Sequence, residues 1–275
     1  MNTNKPIGVF DSGYGGLTVL KELVHSLPEY DYLYLGDNAR APYGTRSYET
    51  VYKYTWQAVQ WFFNQGCPLV VLACNTASAK ALRTIQQHDL ISRFNDKKVL
   101  GVIRPTTEIM GNFTKTRQVG ILGTNGTVQS GSYPIEINKY FPDVKVFQQA
   151  CPLLVPLVEN SEYDSAAADY FVKKYLDELL LQSKDIDAIL LACTHYPLLM
   201  EKFKKFSPSH ITLISQGEIV ALSLMNYLHR HPEIESKCSK NGNVELYTTD
   251  SKEDFDRHTT AFFGESLNSR HIQIG

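Results

Sequence analysis

Nine short, strand-sized runs rich in apolar residues recur along this chain. They are Ile7–Phe10, Tyr32–Leu35, Leu69–Ala73, Val99–Ile103, Val119–Leu122, Val144–Phe147, Ala188–Ala192, Ile211–Ile214 and Val244–Thr248. Segments with helical spacing, such as Thr50–Asn64 and Ser78–Gln87, lie between most of them. Strands that alternate with helices build βαβ units and a mainly parallel sheet. Several runs are apolar at every position, as they must be when helices cover both faces of the sheet. The fold class read from this pattern is α/β.

Composition narrows the class further. Hydrophobic residues make up 43% of the 275 and charged residues 20%, the balance of a globular chain rather than a disordered one. Lys and Arg number 27 against 29 Asp and Glu, a formal charge of −2, so no global field favours nucleic acid. The apolar stretch Pro68–Cys74 is far short of the roughly 20 residues that span a bilayer, and no membrane association is expected. Met1–Pro6 is polar and leaves no room for a secretory core. Five cysteines, Cys67, Cys74, Cys151, Cys193 and Cys238, are an odd number in a chain long enough to bury its own core. A reducing cytoplasm is therefore expected.

An internal echo runs through the pattern. Leu72-Ala73-Cys74-Asn75-Thr76 and Leu191-Ala192-Cys193-Thr194-His195 share one grammar, an apolar strand ending in cysteine and small polar residues. Phe10-Asp11-Ser12-Gly13 and Leu122-Gly123-Thr124-Asn125-Gly126-Thr127 share another, a strand opening through small residues into a helix. Loop precedes cysteine both times. The chain thus reads as two similar α/β domains facing each other, each with one glycine-bearing loop and one thiol.

The carboxyl edge of a parallel sheet is where ligands bind, which makes Cys74 and Cys193 the leading candidates. Burial alone accounts for a single strand-end cysteine, but it does not require the polar residues after two of them to match. Cys67, Cys151 and Cys238 lack that context and read as structural. No Cys-x-x-Cys pair exists and no histidine stands at ligand spacing from Cys74, so a metal site is not expected. Cys193 and His195 could share a pocket as nucleophile and base, although His195 serves equally as a residue opening a helix.

Asp11-Ser12-Gly13-Tyr14-Gly15-Gly16 superficially matches a dinucleotide loop, with Asp37 as the ribose acid. Its third glycine position is Thr18, and the Asp11 carboxylate would face the pyrophosphate. Gly123–Thr127 could offer N–H groups and hydroxyls to a carboxylate, or simply cap a helix. The turn Pro42-Tyr43-Gly44 follows the second strand, at an edge where loops carry ligand contacts. Lys202–Lys205 and Glu253-Asp254 read as solvated helix faces.

Taken together, these segments resemble the glutamate racemases of the aspartate/glutamate racemase superfamily. The resemblance rests on Asp11-Ser12-Gly13-Tyr14-Gly15-Gly16, Pro42-Tyr43-Gly44-Thr45, Cys74-Asn75-Thr76-Ala77-Ser78, Gly123-Thr124 with Thr127, Val155–Glu159 and Cys193-Thr194-His195-Tyr196. Arg104 departs from the family, which often has an acid there, and Ser215-Gln216-Gly217 does not align. The resemblance implies two α/β domains related by a pseudo-two-fold axis, with the active site in the cleft between them. Residues 1–98 with 216–275 would form the first and 99–215 the second.

It also implies cofactor-independent interconversion of L- and D-glutamate, supplying D-glutamate for peptidoglycan, and a homodimer as one form of assembly. Cys74 and Cys193 would be the two bases, assisted by Asp11 at the first and by Glu159 and His195 at the second. Asp11, Ser12, Tyr43, Gly44, Asn75, Thr76, Thr124, Thr127, Thr194 and His195 would surround the substrate. Racemisation of aspartate or a related acid, a Cys–His hydrolase built on Cys193, and a non-catalytic amino-acid-binding module are the competing readings.

Overall fold

The computed structural model describes residues 5–274. The polar start at Met1–Asn4 and Gly275, part of the expected first domain, lie outside the described residues. Among the described residues ten strands form two sheets: β1 (Ile7–Asp11), β2 (Tyr32–Gly36), β3 (Leu69–Leu72), β4 (Lys98–Gly101), β5 (Gln118–Gly123), β6 (Lys145–Ala150), β7 (Ala188–Ala192), β8 (Thr212–Ile214), β9 (Val244–Thr248) and β10 (Ser269–His271). One sheet runs β10-β9-β2-β1-β3-β4 and the other β6-β5-β7-β8, with every pairing parallel.

The strand order shows that the echo is structural. β2-β1-β3-β4 and β6-β5-β7-β8 are the same arrangement traversed twice. In each, the first strand sits where the winding reverses direction, and a crevice opens beyond the carboxyl ends of the first and third strands. β1 and β5 end in the two small-residue loops, and β3 and β7 lead into Cys74 and Cys193. Every residue of β1, β2, β3 and β7 is buried, which accounts for their unbroken apolar character.

The C-terminal segment returns to the first sheet, where β9 pairs with β2 and β10 with β9. Helix Gly217–Arg230 makes the return. Its Val220, Ala221, Leu224 and Leu228 share one core with Leu17, Leu20 and Leu23 of helix Leu17–Ser26. Among the described residues no helix is long and apolar enough to cross a membrane.

Several expected boundaries move. β4 pairs with β3 from Lys98 to Gly101, so a division at 98/99 falls inside a strand, and the crossing to the second sheet comes after Gly101. The run expected to reach Ile103 stops there because Val102 already has helical dihedrals and Ile103 opens the helix Ile103–Thr107. The run Val144–Phe147 becomes β6, shifted toward Ala150 by its register with Gln118–Gly123. The helix expected from Ser78 begins at Asn75, because the Cys74 sulfur accepts from the Ala77 N–H and caps it. β10, only three residues long with no apolar alternation, carries no sequence signal. Lys202 and Lys205 do not stand free, since both pair with Asp169.

Candidate active site

The loop after β1 is folded back on Asp11, which is fully buried. One carboxylate oxygen accepts from the Gly13 N–H at 2.9 Å, and the other accepts from the Thr194 hydroxyl at 3.3 Å, across to the second half. Burial pushes the Asp11 carboxyl above its ordinary range, partly opposed by the charge of His195. Ser12 Oγ lies 3.5 Å from Cys74 Sγ. The Cys74 thiol is pushed up to about 12, chiefly by burial and then by the Asp11 charge, with Cys193 near enough to add to the effect. In this environment Cys74 rests as a thiol.

The other cysteine has different neighbours. Cys193 Sγ lies 3.9 Å from His195 Nδ1, and His195 Nε2 lies 3.0 Å from a carboxylate oxygen of Glu159. Burial alone would drive the His195 imidazolium down. Its bonds to Cys193 and Glu159 outweigh that and hold it well above its ordinary value. A cysteine, a histidine able to carry charge and an orienting carboxylate thus form a line on the second half. The two thiols are related by topology but differ in electrostatic setting.

Cys74 and Cys193 line one cavity, shared with Ser12, Tyr43, Gly44, Asn75, Thr76, Thr124, Thr194, His195 and Glu159. Of the expected site residues, only Asp11 and Thr127 are missing from this wall. Asp11 supports the loop from behind. Thr127 is fully buried against Thr124, whose hydroxyl accepts the Thr127 N–H at 3.2 Å. Thr124 is therefore a helix cap as well as part of the wall, and its hydroxyl meets that of Thr76 at 2.9 Å across the two halves. The Tyr43 phenol bonds to Asp37, which also accepts from Arg40 and Thr249. Asp37 is thus a buried structural acid.

Two glycines let the halves approach. A Cβ on Gly15 would stand 2.3 Å from Thr194 Oγ1 and 2.5 Å from His195 Nδ1, and one on Gly44 would stand 2.9 Å from Thr124 Cβ. All three distances are below contact, so neither position admits a side chain without displacing the opposite wall.

Asn75 carries a polar network that the sequence did not disclose. Gln216 Nε2 donates to the Val102 carbonyl at 3.0 Å, which fixes the amide's orientation, and also to the Tyr133 hydroxyl at 2.9 Å. The Tyr133 proton is then free to donate to Asn75 Oδ1 at 2.5 Å. This leaves Asn75 Nδ2 buried with no partner among the described residues, in a side chain that lines the cavity. An unsatisfied donor there is a place waiting for an acceptor. Gln216 belongs to the stretch that did not align, and Tyr133 meets Asn75 across 58 positions, so no local pattern could pair them.

Two further positions differ from expectation, and the structure supplies the surroundings of a third. Cys151, read as structural, also lines the cavity. Asp254, read as solvated, accepts from the Tyr14 hydroxyl. Arg104 pairs with Glu108 on the surface. Among the described residues no group of three or more His, Cys, Asp or Glu is placed to hold a metal ion.

The sequence and fold have known relatives. Residues 7–221 match the family described as Asp/Glu/Hydantoin racemase. The chain is 37% identical over 268 residues to the glutamate racemase of Persephonella marina, covering 98% of this chain and 97% of that one. Its fold superposes on the crystal structure of glutamate racemase isoform RacE1 from Bacillus anthracis with a TM-score of 0.88 and 34% identity, covering 98% and 97% of the two chains. It superposes on glutamate racemase from Francisella tularensis in complex with D-glutamate with a TM-score of 0.86 and 31% identity, covering 98% of each. This chain belongs to the Asp/Glu/Hydantoin racemase family.

Proposed function

We propose that this enzyme interconverts L- and D-glutamate without a cofactor, by two opposed thiols acting at the α-carbon. The observation that carries the reading is the pair of cysteines from the two repeats, Cys74 and Cys193, lining a single cavity. Inverting a stereocentre removes a proton from one face and returns one to the other. A single base would have to travel around the carbon, whereas two facing bases need not move.

The asymmetry of the two thiols sets the starting state. Cys74, kept protonated by burial and Asp11, is the acid. Cys193, backed by His195 and Glu159, is the base. After one turnover the roles are reversed and the opposite enantiomer is the matching substrate. His195 moves the proton at Cys193, Glu159 orients the ring, and Ser12 and Asp11 serve Cys74.

The α-proton is a very weak acid, so charge developing on the α-carboxylate must meet donors already in place. Asn75 Nδ2 is the leading donor because its orientation is fixed and it is unpaired. Thr76, Thr124 and Thr194 line the same cavity, with Thr127 holding Thr124, and Tyr43 and Gly44 complete the wall. The product D-glutamate would feed peptidoglycan synthesis in the cytoplasm. The partner is a free amino acid rather than nucleic acid or a membrane, and a homodimer is the assembly to look for by sedimentation.

The test is circular dichroism of L-glutamate and, separately, of D-glutamate, with no added cofactor. Both signals are expected to decay to zero with the purified enzyme and to persist with Cys74→Ala or Cys193→Ala. A signal that never decays, or one that decays at the normal rate in either variant, defeats the reading.

A further inference from the structure

The C-terminal helix Lys252–Phe263 belongs by its strands to the first half, yet it reaches the dyad of the second. His258 sits on it with both ring nitrogens engaged. Nδ1 lies 2.8 Å from the Asp254 carbonyl oxygen on the same helix, and Nε2 lies 3.1 Å from the main-chain carbonyl oxygen of Glu159. Carbonyl oxygens only accept, so the ring nitrogen is the donor in each bond. The ring is stacked on Tyr14 with centroids 4.1 Å apart, and Tyr14 in turn bonds to Asp254. One turn further on, Phe262 meets the His195 ring edge-on, centroids 5.5 Å apart. Positions 258 and 262 project on one face, so a single helix holds the main chain of Glu159 and the ring of His195.

Glu159 needs this support. It is the last residue of a six-residue helix, and the final carbonyls of a helix have no partner within it. A helix this short frays readily. Its carboxylate is the group that orients His195 behind Cys193.

We infer that His258 is a positioning residue for the racemase reaction, tying the end of helix Leu154–Glu159 to the C-terminal helix so that Glu159 stays on His195. His258 touches no substrate and lies outside the cavity wall. It acts on Cys193 through Glu159 and His195, and Cys74 does not depend on it. The inference rests on the racemase reading for its kinetic consequence but not for its effect on the reactivity of Cys193.

The experiment compares His258→Phe, which keeps a ring on Tyr14 and removes both donors, with His258→Gln, which keeps one. Racemisation of glutamate is followed in both directions. In parallel, iodoacetamide alkylation of Cys193 is timed in a Cys74→Ala background, where turnover plays no part. His258→Phe is expected to lower kcat about tenfold, the scale of one lost hydrogen bond carried to the barrier, with KM changed less than about twofold. His258→Gln should fall between it and the wild type, and Cys193 alkylation in His258→Phe should slow several-fold.

Unchanged kcat and unchanged alkylation in both variants would overturn the inference. So would a lower melting temperature with normal alkylation of the folded fraction, the mark of a merely structural side chain. If His258→Phe does not fold, His258→Gln decides on the same two readouts. A wild-type enzyme that does not racemise glutamate would remove the racemase reading, while the alkylation series still tests the link from His258 to Cys193.

Discussion

Replacing Glu159 with Gln isolates the charge at the back of the second thiol. Gln keeps an oxygen that can accept from His195 Nε2, so shape and hydrogen bond survive and the carboxylate charge does not. At 3.0 Å and an effective dielectric of about 20, the gross attraction to a charged ring is about 5.5 kcal/mol. Desolvation of a pair in which His195 is almost wholly buried cancels much of that, and hydrogen bonds to charged groups are worth about 1.5–3 kcal/mol net. If that advantage is felt where the proton is in flight, kcat falls about 10- to 150-fold.

Initial rates from L- and from D-glutamate, read by circular dichroism, give the number directly. The two enantiomers have equal free energy in water, so kcat/KM must fall by the same factor from both sides, which is an internal check on the data. A Glu159→Gln enzyme within twofold of the wild type in both directions would refute the assignment of the Glu159 charge to catalysis.

Three other outcomes follow from the same geometry. Tyr133→Phe removes the donor that fixes Asn75, leaving a buried acceptor unpaired at about 1–3 kcal/mol. It is expected to raise KM for glutamate by up to about 5- to 150-fold, and an unchanged KM would remove Asn75 from binding. Gly15→Ala puts a methyl group into Thr194 and His195 and should lower kcat at least about 100-fold with the far-ultraviolet spectrum intact; near-normal turnover would show that the halves need not approach so closely. His195 is held above its ordinary value, so its charged form persists above about 6.5, where an ordinary imidazole loses its proton. Activity that depends on it is lost as pH rises through the raised value, and a profile already falling at pH 6.5 would contradict the assignment.

Much of the fold was legible because period and order carry it. The buried parallel strands β1, β3 and β7 are continuous apolar runs, and the Cys74 and Cys193 segments announce the repeat before any coordinate does. The strand β10 was not legible, because three polar-flanked residues acquire strand geometry only by pairing with β9. At the site, Cys74, Cys193, Ser12, Thr76 and Thr194 are neighbours of strand ends, and sequence grammar reaches them.

The residues it did not reach are those whose meaning lies in long-range contacts. Tyr133 and Gln216 matter through Asn75. Asp254 matters through Tyr14, from the far end of the chain. Cys151 reaches the cavity because Cys151 follows β6, itself placed beside β5. Hydrogen-bond partners 58, 83 and 240 positions apart leave no local trace for periodicity to detect.

The central claim, two sulfurs acting from opposite faces of one carbon, is tested most directly by racemisation in deuterated water stopped after a few per cent of conversion. Each thiol exchanges its proton with solvent, so the account predicts deuterium at Cα of the new enantiomer and protium in the recovered starting enantiomer. Product carrying the substrate's own protium, or equal label in both enantiomers from the earliest times, would mean that a single base serves both faces.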